Sequence, residues 1–242
     1  MPENNIHILS TRPVDPSLVE SAVAKGITVH QLSFIETSPV TSAGVITKIE
    51  KLFRVPQTVI FTSMNAVEMV GGLLNEKVPP WKIYCIGNTT RHLIIKYFGG
   101  GSICGTADNA SALGDVMIGD GITGEVSFFC GDHRRDELPD LLRNKNIAVN
   151  ETIVYNTIPL SQRVSQHYAG ILFFSPSGVF SFFSVNEIAP DVILFAIGTT
   201  TAEALRSYSS NTIIVADSPG KNNLVEQMIS YFTSKANDRI KE

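Results

Sequence analysis

The sequence predicts an α/β protein built from two similar parallel-sheet lobes, and three observations support this prediction. Short β-rich runs alternate with amphipathic helical patterns throughout the 242 residues. The apolar runs are short and separated by helices, as in a parallel sheet whose two faces are both covered. The order of strands, helices and polar strand ends also recurs within the chain, which indicates an internal duplication.

The predicted elements follow from hydrophobic periodicity and turn residues. In chain order, the predicted strands are "IHILST", "ITVHQLSF", "TVIFTS", "KIYCIG", "GSICG", "EVSFFCG", "IAVNETIVYNT", "GILFFS", "VILFAIG" and "TIIVAD". The amphipathic helical stretches between them are "SLVESAVAKG", "NAVEMVGGLLNE", "NTTRHLIIKYFG", "NASALGDVMIG", "DELPDLLRNKN", "TTTAEALRSY" and "NNLVEQMISYF".

The duplication has two spacings. Residues 58–120 resemble 170–231, with Ser63 corresponding to Ser175 at a spacing of 112 residues. The pairs Gly87 and Gly198, Thr90 and Thr201, Leu113 and Leu224, and Met117 and Met228 recur at 111. A second set recurs at 120: Lys25 and Lys145, Ile27 and Ile147, Val29 and Val149, and Thr37 and Thr157. The chain therefore reads A–B–A′–B′, although any α/β protein shows some such echoes.

Two predicted strands, "ITVHQLSFIET" and "IAVNETIVYNT", are unusually long and alternate in their second halves. This pattern suits a two-stranded ladder exposed between lobes. Periodicity alone leaves open which A joins which B. If both long strands are connectors, lobe 1 comprises 1–35 plus 159–242, lobe 2 comprises 38–152, and the linker strands are 30–37 and 150–158.

Composition restricts the class of protein. A hydrophobic content of 43% and a charged content of 17% are typical of a soluble globular protein. The net charge of −4 argues against nucleic acid as the main partner, but hydroxyls and backbone N–H groups can still bind an anionic small molecule. We expect no signal peptide, no membrane span and a monomer. Three widely spaced cysteines are expected to be free, buried thiols in a reducing cytoplasm.

The candidate binding residues lie at polar strand ends that open helices, at 62–65, 87–90, 175–178 and 198–201. Ligands of open α/β sheets bind at the carboxyl ends of the strands, and helix N-termini favour anions. The candidates are Ser63, Asn65, Thr90, Ser175, Ser177, Gly198, Thr200 and Thr201. Each hydroxyl taken alone also suits a plain helix N-cap, but we expect the four clusters to face one cleft between the lobes.

Arginines and one tyrosine complete the candidates. Arg12 follows the first strand, where it can contact a carboxylate. Arg134 and Arg135 occupy the corresponding point of the second lobe, but acidic neighbours are available to pair with them. Tyr155 lies in a proposed connector, where packing and catalysis are both open.

Familiar catalytic signatures are missing from the sequence. No phosphate-binding G-x-x-x-x-G-K-[ST] is present, and "FGGGSICG" precedes a strand, as expected of a helix C-terminal turn. The five histidines and the cysteines show no metal-ligand spacing. "SPSG" is not the nucleophile motif G-x-S-x-G. We therefore expect no cofactor and no metal.

An ordered set of motifs resembles the uroporphyrinogen-III synthase family. The set is "STRP", "FTSMNAVE", "IGNTTRHL", "GDHRRDELPDLL", "IVYNT", "FFSPSG", "AIGTTTAEAL" and "VADSP", and it spans nearly the whole chain. The resemblance implies two flavodoxin-like lobes joined by a two-stranded ladder, with the first lobe built from both chain ends. It also implies a cofactor-independent lyase (hydro-lyase) of tetrapyrrole and heme biosynthesis.

The substrate implied by the resemblance is hydroxymethylbilane, a linear tetrapyrrole with eight carboxylates. The family closes it to uroporphyrinogen III with loss of water and inversion of the last ring. Departure of the hydroxyl leaves an electrophilic azafulvene, which the substituted carbon of the last ring attacks to form a spiro intermediate. Tyr155 matches the family tyrosine thought to assist that departure, as a hydrogen-bond donor or a general acid.

Two other functions remain open at this stage. A non-catalytic, two-lobed binding module for a small anionic metabolite would use the same strand-end hydroxyls. A glycosyltransferase-like enzyme acting on a nucleotide sugar is disfavoured by the missing phosphate signatures and by the small lobes.

Overall fold

The computed structural model describes residues 6–74, 78–218 and 220–239, with the backbone alone for 236–239. The chain divides into two compact units. Unit 1 contains the described residues up to Glu36 and from Ile158 onward, and unit 2 runs from Thr37 to Thr157. Pro219, at the end of the "VADSP" motif, lies outside the described residues.

The elements are numbered in chain order. The strands are β1 (Ile6–Ser10), β2 (Ile27–Gln31), β3 (Ile35–Pro39), β4 (Gln57–Phe61), β5 (Trp81–Ile86), β6 (Ile103–Ala107), β7 (Glu125–Gly131), β8 (Ala148–Pro159), β9 (Gly170–Phe173), β10 (Ile193–Ala196) and β11 (Ile213–Val215). The helices are α1 (Pro16–Val23), α2 (Ala43–Leu52), α3 (Met64–Gly71), α4 (Asn88–Phe98), α5 (Ala110–Gly119), α6 (Glu137–Arg143), α7 (Pro176–Phe183), α8 (Thr199–Arg206) and α9 (Lys221–Arg239).

Unit 1 contains a five-stranded sheet in the order β11-β10-β9-β1-β2. Its neighbouring strands pair in parallel. Two apolar clusters cover the sheet: one includes Leu224 and Met228 of α9, and the other includes Val179 and Phe182 of α7. The predicted parallel sheet with helices on both faces is confirmed for this unit.

The six-stranded sheet of unit 2 has the order β3-β8-β7-β4-β5-β6. Neighbouring strands pair in parallel from β8 through β7, β4 and β5 to β6. One face packs on α3 and α4 through an aromatic group that contains Phe61, Trp81, Phe98 and Phe129. The other face packs on α5 and α6 through Leu113, Met117, Leu138 and Leu142. Both layers are those expected of a parallel sheet.

The chain passes from unit 1 to unit 2 within β3 and returns within β8, and these two strands are neighbours in the sheet. The Val40 N–H donates to the Val154 carbonyl at 2.9 Å, and the Leu160 N–H donates to the Phe34 carbonyl at 2.9 Å. Because residue numbers rise along one strand as they fall along the other, the ladder is antiparallel. The predicted two-stranded linker is therefore confirmed.

The predicted shifted duplication is visible in the strand order. In unit 1, β9, β10 and β11 lie on one side of β1, with β2 on its other side. In unit 2, β4, β5 and β6 lie on one side of β7, with β8 on its other side. Each sheet thus combines one strand–helix–strand piece with one longer α/β piece, and the two pieces are distant in sequence in unit 1 but consecutive in unit 2.

Three details differ from the sequence prediction. The single long strand over 27–37 is two strands, β2 and β3, because Phe34 between them turns into the core and is fully buried. Helix α2 is absent from the predicted helices, because the β-branched run Val45, Ile46 and Thr47 in its first turns has a low helix propensity. Cys104 is exposed, since β6 is an edge strand, whereas Cys85 and Cys130 are buried and all three thiols are free.

No helix in the described ranges combines the length and the apolarity that crossing a membrane would require.

The glycine run after α4 ends that helix as expected: Gly99 has φ +77°, a conformation that favours glycine.

Candidate functional site

The carboxyl edge of the unit 2 sheet holds the first candidate residue, Ser63. Strand β4 ends at Phe61, and Ser63 is the N-cap of α3. Its Oγ accepts the Asn65 N–H at 3.2 Å, so the predicted capping role is confirmed. Asn65 itself is half-buried in the first turn of the helix.

Tyr155 reaches the same point from a different strand. Its hydroxyl donates to the Ser63 Oγ at 3.0 Å, although 92 residues separate the two in sequence. A serine hydroxyl has one donor and two acceptor sites. Because Ser63 Oγ accepts from both Tyr155 and Asn65, its remaining hydrogen-bonding group is its own proton.

A cavity of about 400 Å³ lies at this edge of the sheet. Apolar side chains, among them Ile86, Phe128 and Leu138, form one part of its wall. The polar residues that line it are Thr62, Ser63, Asp108, Asn109, His133, Arg134, Arg135, Glu137 and Tyr155. A pocket with an apolar wall and convergent polar groups is the usual form of a small-molecule site.

The charge at the cavity is partly neutralised within the protein. Arg134 forms ion pairs with Asp136 and Glu151, and Glu151 is shared with Arg143. The hydrogen bond that Arg134 donates to Asp136 raises the pKa of Arg134, with Glu151 adding to the effect, so this guanidinium stays charged. The expectation that acidic neighbours pair with this arginine is confirmed for Arg134. Arg135 lines the same cavity.

The carboxyl edge of the unit 1 sheet has the corresponding caps. Strand β9 ends at Phe173, and the Oγ of Ser175, the N-cap of α7, accepts the Gly178 N–H at 3.1 Å. Ser177 is half-buried in the first turn of that helix. Gly198 is the N-cap of α8, with Thr200 half-buried in its first turn.

Two threonines that the repeat pairs, Thr90 and Thr201, are buried in the first turns of α4 and α8, with 6% and 2% of their surface exposed. The recurrence of these threonines therefore corresponds to equivalent buried positions in the two copies. Burial favours packing over ligand contact, and substrate binding by either residue stays a prediction.

Arg12 lies half-buried just after β1, and a residue that the sequence analysis missed lies beside it. The Lys221 ammonium, at the start of α9, donates to the Pro13 carbonyl at 2.7 Å. Burial, together with the nearby charge of Arg12, lowers the pKa of Lys221. Lys221 lies 208 residues from Pro13, so no local pattern could have indicated this pair of cations.

Within the described ranges, no group of three or more His, Cys, Asp or Glu side chains is arranged to hold a metal ion. Burial raises the pKa of Cys85 and of Cys130 to about 11 each, so both thiols stay protonated at neutral pH.

Comparison with known proteins identifies the family. The family model described as uroporphyrinogen-III synthase HemD matches residues 16–226. A mutant uroporphyrinogen III synthase from Thermus thermophilus superposes with a TM-score of 0.66 at 13% identity, over 95% of this chain and 99% of that one. The uroporphyrinogen-III synthetase of Helicobacter pylori gives a TM-score of 0.64 at 17% identity, over 93% and 99% of the two chains. The structural matches establish the shared fold, and the family match over most of the length establishes that this chain belongs to the uroporphyrinogen-III synthase family.

Proposed function

We propose that the protein cyclises hydroxymethylbilane to uroporphyrinogen III, with inversion of the last ring and loss of water. The family match over residues 16–226 is the observation that carries this proposal. We propose the cavity at the carboxyl edge of unit 2, with its Tyr155–Ser63 pair, as the place of the chemistry.

The reaction sets two tasks for the protein. The bilane closes spontaneously to the symmetric type I isomer, so the enzyme must hold a flexible chain in the pose that leads to type III. Orientation of this kind can contribute on the order of 7–11 kcal/mol to lowering a barrier. The second task is to help the hydroxyl of the first ring depart as water, which requires a proton on the departing oxygen.

Tyr155 is suited to the second task. Its phenol proton is directed at an oxygen atom, Ser63 Oγ, 3.0 Å away and beside the cavity. A ligand hydroxyl next to this pair can accept a hydrogen bond from Ser63 while Ser63 accepts from Tyr155, or directly from Tyr155 once the phenol turns away from Ser63. We propose that Tyr155 assists the departure of water as donor or general acid, either directly or through Ser63, which then gives its own proton to the departing oxygen and takes the phenol proton in return.

The first task falls to many modest contacts with carboxylates. Half-buried hydroxyls at helix starts, such as Ser63 and Ser177, and the amides around them are neutral donors that suit carboxylate oxygens. In unit 1, Arg12 and Lys221 add positive charge at a strand end. We propose that Asn65, Ser175, Gly198 and Thr200 take part through side chains or backbone amides, and that the reaction needs no cofactor.

We further propose that the two units are the two lobes predicted from the sequence, and that the protein is a cytoplasmic monomer. The chain crosses between them within the long strand β8 and within β3, as a hinged two-lobed enzyme would require.

The test is an isomer assay. Purified protein added to freshly generated hydroxymethylbilane should yield the type III isomer, separated from type I by chromatography after oxidation to the porphyrins. An isomer ratio equal to that of the protein-free reaction would refute the proposal. Tight binding of bilane without turnover would instead identify the non-catalytic binding module.

A further inference from the structure

Tyr155 reaches Ser63 across an intervening strand. The order of the sheet is β8-β7-β4, so the strand that carries Tyr155 and the strand that leads to Ser63 are separated by β7. Two interstrand spacings amount to about 9–10 Å. The tyrosine side chain must therefore extend over the end of β7, where the last residue is Gly131.

Gly131 leaves the space that the tyrosine ring occupies. A Cβ atom added to Gly131 would lie 2.5 Å from Cζ, 2.6 Å from Cε2 and 2.8 Å from Oη of Tyr155. Such distances are far below van der Waals contact, so any side chain at Gly131 would take the place of the phenol. Gly131 does not have a positive φ that would favour glycine. The reason for a glycine at this position is therefore the space that the Tyr155 ring occupies.

A β-bulge sets the two residues opposite each other. Cys130 pairs with Ile153, but the next pair is Gly131 with Tyr155, so β8 contains one extra residue at this point. That residue, Val154, is buried in the core of unit 2. Bulges re-aim side chains, and this one brings Tyr155 over the end of β7.

Asp132, the next residue, holds the backbone on both sides of this bulge. Its N–H donates to the Tyr155 carbonyl at 3.2 Å. Its Oδ1 accepts the Thr157 N–H at 2.9 Å and the His133 N–H at 3.0 Å. The carboxylate thus binds β8 just beyond Tyr155, after β7 itself has ended.

We propose that Gly131 and Asp132 are positioning residues for Tyr155: Gly131 provides the gap in which the ring lies, and Asp132 fixes the strand that carries it. This inference rests on the proposed function, because it assigns Tyr155 to the chemical step. Gly131 also lines the cavity, and both residues are assigned a role through the direction of the Tyr155 hydroxyl.

The substitution that tests the gap is Gly131→Ala, with Gly105→Ala as the matched control. A Cβ at Gly105 would lie 2.7 Å from two ring atoms of Tyr84, a tyrosine of the same unit that does not line the cavity. We expect Gly131→Ala to lower kcat roughly tenfold with KM within about twofold, because orientation of the proton donor is lost. Gly105→Ala should lower stability and leave kcat near wild type.

A double variant separates positioning from a general structural effect. If Gly131 acts through Tyr155, the variant Gly131→Ala with Tyr155→Phe should be no slower than the slower single variant. Rate losses that multiply in the double variant, or full kcat in Gly131→Ala, would overturn the proposal.

Asp132 provides a second route that does not depend on the folding of Gly131→Ala. Asp132→Asn keeps an acceptor oxygen for the Thr157 N–H and should retain kcat within about twofold, whereas Asp132→Ala should lower it severalfold. Equal kcat for both variants would contradict the role of this carboxylate.

Urea unfolding distinguishes failure of this inference from failure of the proposed function. Gly131→Ala should lower the free energy of unfolding in the wild-type background but not in a Tyr155→Ala background, because the clash disappears with the ring. Absence of the type III isomer would refute the proposed function. The coupling between the two substitutions would still be measurable in that case. Absence of coupling in a protein that does make type III would refute the positioning of Tyr155 by Gly131.

Discussion

Ser63 in unit 2 and Ser175 in unit 1 are counterparts in the duplication, yet their surroundings differ. Each follows a buried strand and caps the next helix, Ser63 through the Asn65 N–H and Ser175 through the Gly178 N–H. Ser63 also accepts a hydrogen bond from the hydroxyl of Tyr155. A duplicated motif has therefore kept its structural role in both copies, while one copy has acquired a phenol beside it.

The difference originates in strand continuity. Strand β8 runs unbroken for 12 residues, whereas its counterpart in the 120-residue repeat is divided into β2 and β3, with 5 residues each. The second half of β8 carries Tyr155, which lies opposite Gly131, the last residue of β7. The asymmetry of the two units therefore comes from a continuous neighbouring strand, and not from the strand-end motif that is duplicated.

The largest expected effect concerns what the units share. Phe61 and Phe173 are counterparts, each the last residue of its strand, and both are fully buried. Phe61→Ala and Phe173→Ala should each lower the free energy of unfolding by about 3–5 kcal/mol, because each leaves a cavity in a packed core. Urea denaturation followed by circular dichroism measures both. A loss under about 1 kcal/mol in one variant would break the equivalence of the two cores.

The capping serines give the next effect and sharpen the comparison most. Ser63→Ala and Ser175→Ala should each lower the free energy of unfolding by about 1 kcal/mol through loss of an N-cap. Only Ser63→Ala should also lower kcat, by roughly two- to tenfold, since Tyr155 loses its partner. Unfolding curves and steady-state rates of type III formation provide the two readouts. An equal kcat loss in both variants would contradict the division of roles.

The cations of unit 1 predict a smaller effect, on binding. Arg12→Gln and Lys221→Gln should each raise KM by about two- to fivefold, as expected for partly exposed charge pairs, and leave kcat unchanged. The effect should diminish at high salt. Lys25→Gln, an exposed lysine of the same unit, is the control. A fall in kcat with constant KM would place these cations in the chemical step instead.

The smallest effect is a pH dependence that originates in a histidine pair of unit 1. His7 Nδ1 and His30 Nε2 are 2.9 Å apart on neighbouring strands, and burial, with the His7 charge, lowers the pKa of His30 below 6.5. Below pH 6.5 the unfolded chain therefore binds this proton more readily than the folded protein does. Stability should fall as the pH drops from 7 through the folded-state pKa.

The check is the urea midpoint of wild type and of His30→Gln between pH 7 and pH 5. The variant should show a weaker pH dependence than wild type. Identical pH dependences would show that the histidine pair contributes nothing.

Much of the fold could be predicted because periodicity and repetition are local signals. The sheets, the shifted duplication and the ladder follow from apolar runs and from pairs such as Ser63 and Ser175. The break between β2 and β3 could not be predicted, because it depends on the burial of Phe34 against Phe182, 148 residues away. Helix α2 was hidden by β-branched residues, whose preference tertiary packing overrides.

The candidate site shows the same limit. Ser63 and Tyr155 could each be selected from motifs, but their hydrogen bond depends on strand order and on a bulge. No local pattern indicates Gly131, because the glycine is needed to leave space for the Tyr155 ring, which another strand contributes. Lys221 likewise becomes a candidate only when α9 brings it to Pro13.

The most direct measurement of the central claim is the kcat of Tyr155→Phe for type III formation. The substitution removes one hydroxyl and keeps the ring over Gly131, so folding should be preserved. We expect a kcat roughly 10- to 100-fold lower than wild type, with KM changed less than about twofold. A Tyr155→Phe variant with full kcat would contradict the account.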